Sequence, residues 1–208
     1  MTKKERALHA VEALEARYPD ALCSLTYEKP YELMIAARLS AQCTDARVNQ
    51  VTPALFAKYP TVEAFAEADV AEIEEIIRPC GFYRTKAASI QAACARLVDV
   101  YGGVIPDTMD ELLTLPGIGR KTANLLLGDV YGKPAVVADT HFIRITGRLG
   151  LTKHKEPEKV ESDLKALLPP EKSSDFCHRV VLFGRDVCTA RRPKCEGCPL
   201  ADICPSRA

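Results

Sequence analysis

Apolar residues recur at helical spacing along most of this chain, and glycine, proline or short polar residues separate one stretch from the next. Over residues 3 to 18, Leu8, Val11, Leu14 and Tyr18 fall on one stripe, which predicts an amphipathic helix. Residues 30 to 40 open with Pro30, suited to a first helical turn, and predict a second. Further helices are predicted over 44 to 58, 61 to 67, 69 to 77 and 82 to 101, the last stopped by Gly102-Gly103. Pro53 predicts a kink or break in the first of these. Residues 107 to 114 and 120 to 131 flank a turn with two glycines, and Gly132-Lys133-Pro134 closes the pair. Three more helices are predicted near 140 to 149, 156 to 168 and 173 to 187. The one strand-like run, Ala135 to Ala138, is too short and isolated to found a sheet. The fold class is therefore all-α. With no internal repeat and no long linker, a second lobe must share helices with the first.

Composition narrows the class of protein. The 208 residues, 47% hydrophobic and 27% charged, suit a globular chain with one sizeable core or two small lobes. Lys plus Arg and Asp plus Glu both number 28, so any basic footprint for a polyanion has to be local. No apolar run approaches the ~20 residues of a membrane span. The start, Met1 to Arg6, leads straight into a polar helix, and the expected compartment is the cytosol. Nine cysteines, four of them within the last 21 residues, suit metal ligands in a reducing compartment better than a disulfide framework.

The glycine turn carries the first candidate chemistry. Residues 115 to 121 read Leu-Pro-Gly-Ile-Gly-Arg-Lys and open a helix. Gly117 and Gly119 allow backbone amides to approach a ligand closely, the helix adds its positive end, and Arg120 adds charge, so a phosphate is the natural guest. Lys121 lies in that first turn. A nucleophilic lysine must be uncharged, a form favoured by burial and by a helix's positive end, and such an amine can form a Schiff base with a carbonyl-like carbon. Asp139, 18 positions later, precedes the apolar-periodic segment from Thr140 and should cap that helix. A fixed carboxylate there can stabilise a developing cation. Spacing alone equally allows a phosphate-contacting lysine and an ordinary cap. His141, beside the carboxylate, reads as structural before it reads as a proton carrier.

Cys188, Cys195, Cys198 and Cys204 follow C-x6-C-x2-C-x5-C, a set that suits either zinc or a four-iron cluster. The first loop of that motif, Thr189 to Lys194, places Arg191, Arg192 and Lys194 together without an acid, a local basic footprint for phosphates. Cys23, Cys43, Cys80, Cys94 and Cys177 are expected to be small core side chains.

Several separated motifs resemble the helix-hairpin-helix DNA glycosylases, and endonuclease III among them. They are Leu115 to Ala123, the Gly132-Lys133-Pro134 loop and Val137-Ala138-Asp139-Thr140-His141. Leu39-Ser40-Ala41-Gln42 with Thr44-Asp45, Gly81-Phe82-Tyr83 with Lys86-Ala87, and the four C-terminal cysteines complete the set. Carried over position by position, the resemblance makes Lys121 the Schiff-base lysine, Asp139 the essential carboxylate and the four cysteines ligands of a [4Fe-4S] cluster. It implies two helical lobes with a DNA groove between them. One is a six-helix barrel over 22 to 132 containing the hairpin at about 108 to 131; the other joins 1 to 21 with 133 to 208, including the cluster loop 188 to 204.

A base inside a duplex hides its glycosidic carbon, so such an enzyme must extrude the nucleotide and fill the gap. Gln42 and Phe82 match the loop positions the family inserts, an amide for the orphaned partner base and an apolar wedge. An aliphatic residue is expected at the wedge; the phenyl ring departs from that pattern. The implied function is a bifunctional DNA glycosylase and abasic-site lyase of base excision repair, acting as a monomer on oxidised pyrimidines in damaged double-stranded DNA, in the cytoplasm at the nucleoid and with no membrane partner. Two alternatives accompany it. An adenine-mismatch glycosylase normally lacks a lysine at position 121 and carries a further C-terminal domain, whereas this chain has Lys121 and ends four residues past Cys204. The other is a non-catalytic damage-binding protein, with or without zinc in place of iron.

Overall fold

The computed structural model describes residues 1 to 207, and no strand occurs among them. The helices in chain order are α1 (Lys3–Arg17), α2 (Pro30–Leu39), α3 (Asp45–Lys58), α4 (Val62–Ala66), α5 (Val70–Ile77) and α6 (Tyr83–Tyr101). There follow α7 (Met109–Leu112), α8 (Arg120–Asp129), α9 (Thr140–Arg148), α10 (Pro157–Leu167) and α11 (Ser173–Asp186). Short 3-10 turns occupy Arg78–Cys80 and Pro170–Lys172. Most starts are set by a side-chain oxygen that accepts from a first-turn amide: Thr2, Thr44, Thr61, Asp69, Thr108 and Asp139 all act this way. At Thr2 the cap is reciprocal, because Glu5 Oε2 accepts from the Thr2 amide at 2.7 Å. The run Ala135 to Ala138 is extended but forms no ladder.

The chain divides into two compact units, Met1–Cys23 with the described residues from Gly132 onward, and Ser24–Tyr131. In the first unit, Ala7, Ala10, Val11 and Leu14 of α1 pack with Phe142 and Ile145 of α9, Val160 and Leu164 of α10, and Phe176, Val180 and Phe183 of α11. Phe142 and Phe176 meet edge to face at 6.0 Å. The stripe expected through Leu8 is thus turned by one residue: alanines at 7 and 10 face the core, and Leu8 stands 36% exposed.

In the second unit α2 is buried almost all round, from Tyr31 to Ala37 and at Leu39, which is the pattern of a central helix. Tyr31, Phe56 and Tyr59 surround the Phe65 ring at 5.1 to 6.4 Å. Of the kink or break expected at Pro53 the break is absent, and α3 runs on through it. Its buried face is Val48, Val51, Thr52 and Leu55, and Pro53 lies on the exposed side.

Candidate active site

The hairpin is held by three apolar anchors, Leu112, Leu115 and Ile118, all buried. Between them Gly117 has φ +76, and a Cβ there would lie 2.8 Å from both Arg38 Nε and Ser89 Cβ. Glycine is therefore required twice over, by conformation and by space. The polar pair beneath it is itself ordered: Arg38 Nε donates to Ser89 Oγ at 2.8 Å, and that hydroxyl donates to the Lys86 carbonyl at 2.9 Å.

Gly119 is the N-cap of α8 and supplies no side-chain acceptor, and a helix N-terminus attracts an anion. Arg120 and Lys121 are exposed at that end. One turn on, the buried Asn124 side chain donates to the Arg120 carbonyl at 3.2 Å and secures the start of the helix. Lys121 is exposed, so of burial and a helix's positive end only the second acts on it, from its place in the first turn of α8.

Gln42 and Phe82 share a property that no other described non-glycine residue has, a positive φ, of 54° and 47°. Left-handed backbone at such residues costs on the order of 1 kcal/mol or more, and it turns both side chains outward, Phe82 to 65% exposure. Lys86 stands behind both loops. It is 1% exposed, and its Nζ donates to the carbonyls of Leu39 and Cys80, each at 2.8 Å. Hydrogen bonds from a charged donor contribute about 1.5–3 kcal/mol each, enough to offset part of the cost of burying an ammonium. Burial pushes the Lys86 pKa down, and the nearby Cys43 and Cys80 thiols oppose that shift. Cys80 and Cys94 are core residues, pushed up to about 11 and about 12 by burial. Cys177 is buried too, but Cys23 and Cys43 are only half-buried, so the expectation of five core cysteines fails at these two.

In the other unit Asp139 is the N-cap of α9, its Oδ1 accepting from the Phe142 amide at 2.7 Å. The same helix carries His141, Arg144 and Arg148 toward the C-terminal loop. Arg144 Nη2 lies 3.2 Å from His141 Nδ1 and donates to the carbonyls of Gly184 and Cys188 at 3.2 and 3.0 Å. Gly184 leaves room for this, since a Cβ there would lie 2.5 Å from His141 Nδ1. Arg148 donates to the Thr189 and Ala190 carbonyls, both at 2.8 Å, and to Cys188 Sγ at 3.2 Å. Asp139 at one end of α9 and the loop at the other are thus joined by a single short helix.

Cys188, Cys195, Cys198 and Cys204 line a cavity of about 140 Å³ floored by Ile145, Leu149, Phe183 and Leu200. Among the described residues no three His, Cys, Asp or Glu side chains are grouped as the ligands of one metal ion. Four half-buried thiols around an apolar chamber supply a ligand set that both zinc and a four-iron cluster accept. Burial pushes the Cys198 thiol up, so loading metal on it releases a proton. Arg191 and Arg192 are exposed on the first loop, and Lys194 is exposed with a loose ion pair to Asp186 at 3.8 Å.

In the sequence Lys86 has a place in the Gly81 to Ala87 motif but no role, and no pattern points to Arg144 or Arg148. A signal existed for Lys86: it sits on the buried stripe of α6 with Ile90, Cys94 and Leu97, where a charge is out of place. No comparable signal marks the arginines, whose partners lie about 40 positions away.

Comparison with known proteins is consistent with this geometry. Residues 35–170 match the model of the HhH-GPD superfamily base excision DNA repair protein, and residues 188–204 match the iron-sulfur binding domain of endonuclease III. Endonuclease III of Synechocystis sp. is 49% identical over 206 residues, covering 99% of this chain and 94% of that one. A non-covalent endonuclease III–DNA complex superposes with a TM-score of 0.93 at 42% identity, over 99% of this chain and 97% of that one. A trapped endonuclease III–DNA covalent intermediate gives the same TM-score, identity and coverage. The chain belongs to the endonuclease III family of helix-hairpin-helix base excision repair proteins, and its cofactor is a [4Fe-4S] cluster.

Proposed function

We propose that this protein is a bifunctional DNA glycosylase and abasic-site lyase that removes oxidised pyrimidines from damaged double-stranded DNA. The observation that carries the proposal is the exposed Lys121 in the first turn of α8, directly after the Gly117 to Gly119 turn. The trapped covalent intermediate of a 42% identical endonuclease III supports it.

Gly117, Gly119 and Arg120 hold the DNA backbone, and Gln42 and Phe82 enter the gap left by the extruded nucleotide. The nitrogen lone pair of Lys121 attacks the sugar's anomeric carbon while the glycosidic bond breaks and the damaged base departs with its bonding pair. Asp139 stabilises the cationic sugar as that bond weakens. The resulting aminium gives a proton to the departing base, its lone pair then breaks the C1′–O4′ bond as O4′ takes a proton from water, and a protonated imine is left on Lys121. The imine acidifies the neighbouring C2′ proton, its removal expels the 3′ phosphate by β-elimination, and water then frees the lysine.

Cys188, Cys195, Cys198 and Cys204 would hold the cluster, which when bound supplies thiolate–iron bonds that cross-link the loop. Arg191, Arg192 and Lys194 then meet the phosphates from a rigid support. In this reading the barrel domain spans 22–132 and the cluster domain 1–21 with 133–208. The protein works as a monomer in the cytoplasm, at the nucleoid; no helix among the described residues is long and apolar enough to cross a membrane.

Strand cleavage on a panel of duplexes, each with one oxidised, alkylated or mismatched base, tests the substrate class. Preferential cleavage at oxidised pyrimidines is expected, and release of mismatched adenine without cleavage would overturn the proposal.

A further inference from the structure

Two loops present outward side chains through left-handed backbone, and one buried cation touches the root of each. Leu39 is the last residue of α2, and the chain runs from it through Ser40 and Ala41 to Gln42. Cys80 is the last residue of a 3-10 turn and leads through Gly81, φ 68, to Phe82. The Lys86 ammonium bridges the carbonyls of those two residues at 2.8 Å each.

Both carbonyls lie at helix C-termini, where they lack intrahelical partners and where the negative end of the helix favours a cation. Lys86 is also tied to Phe82 directly, since its amide donates to the Phe82 carbonyl at 3.1 Å. Filling space in this core would need only a methionine, without the desolvation of an ammonium. A lysine with two main-chain acceptors on separate segments fixes the distance between those segments instead.

We infer that Lys86 is a positioning residue whose buried ammonium clamps the Gln42 and Phe82 loops to one another and so sets the spacing with which they fill the gap left by an extruded nucleotide. The inference rests on the proposed entry of Gln42 and Phe82 into DNA.

The test compares two substrates under single-turnover conditions: a duplex carrying one thymine glycol, and a single-stranded oligonucleotide carrying an abasic site, where no stack or partner base has to be replaced. Lys86→Met should slow release from the duplex by about 10- to 100-fold, the scale of loss that follows small misplacement, while cleavage of the single strand stays within about threefold. In the double variant Lys86→Met with Phe82→Ala the losses should fall short of additive, because both act on one step. Equal losses on both substrates, or no loss on the duplex, would overturn the positioning role. If Gln42→Ala and Phe82→Ala leave duplex excision unchanged, the insertion proposal itself fails; if they slow it and Lys86→Met does not, only the clamp fails. Should Lys86→Met not fold, Lys86→Leu, which likewise lacks a donor, carries the same comparison. Failure of both to fold with the cluster bound would assign Lys86 to stability alone and overturn the inference.

Discussion

The Arg148 guanidinium donates to the Cys188 sulfur at 3.2 Å while it also holds the Thr189 carbonyl at 2.8 Å. One side chain of α9 therefore touches the first thiol of the cysteine motif and the loop that follows it. Groups that orient a metal ligand typically shift metal retention by about 10- to 100-fold. Arg148→Ala is expected to lose iron to a chelator about 10-fold faster than the parent, followed as decay of the iron-sulfur absorbance at about 400 nm. Arg148→Lys keeps charge but not the planar fork and should fall between the two. Equal decay of parent and Arg148→Ala would show that the contact does not secure the cluster.

Asp139 has two roles that one substitution separates. Its Oδ1 accepts from the Phe142 amide at 2.7 Å, and an asparagine oxygen can do the same. Asp139→Asn should thus unfold within about 0.5 kcal/mol of the parent, since asparagine and aspartate cap a helix comparably. Loss of the negative charge should still lower base excision about 10²- to 10⁴-fold with DNA affinity retained. Gel-shift and single-turnover assays distinguish the two, and near-normal turnover would remove Asp139 from the chemistry.

The basic loop is a prediction about salt. Arg191, Arg192 and Lys194 are exposed and close in sequence, while the chain as a whole has a net charge of 0. If each meets a phosphate, replacing one by glutamine should lower the slope of log affinity against log salt by about 0.9 on undamaged duplex. The triple variant should lose most of its salt dependence at this loop without a change in iron content. An unchanged slope would place the loop away from the DNA backbone.

Much of the fold was legible because it is local. Helix starts follow Thr, Asp and Pro at fixed offsets, and each predicted helix is present within a few residues of its expected bounds. Gly117 was readable as a turn residue, but the second reason for it, the closeness of Arg38 and Ser89, comes from α2 and α6 and leaves no trace in the motif. Leu8 was misread because periodicity gives a stripe without its centre, and the small Ala7 and Ala10 are what neighbouring helices pack on. Pro53 predicts a kink or break, and the helix nonetheless continues through it, because propensity cannot say which side of α3 faces solvent. Arg144, Arg148 and Lys86 act through carbonyls brought near by the fold, and no sequence spacing encodes those.

The mechanism depends most on a covalent bond between Lys121 and the sugar. Incubation with a damaged duplex in the presence of borohydride, followed by peptide mapping of the cross-link, tests it directly. A stable adduct on the peptide containing Lys121, absent from Lys121→Ala, is the expected result; equal trapping by Lys121→Ala, or an adduct that maps to another residue, would contradict it.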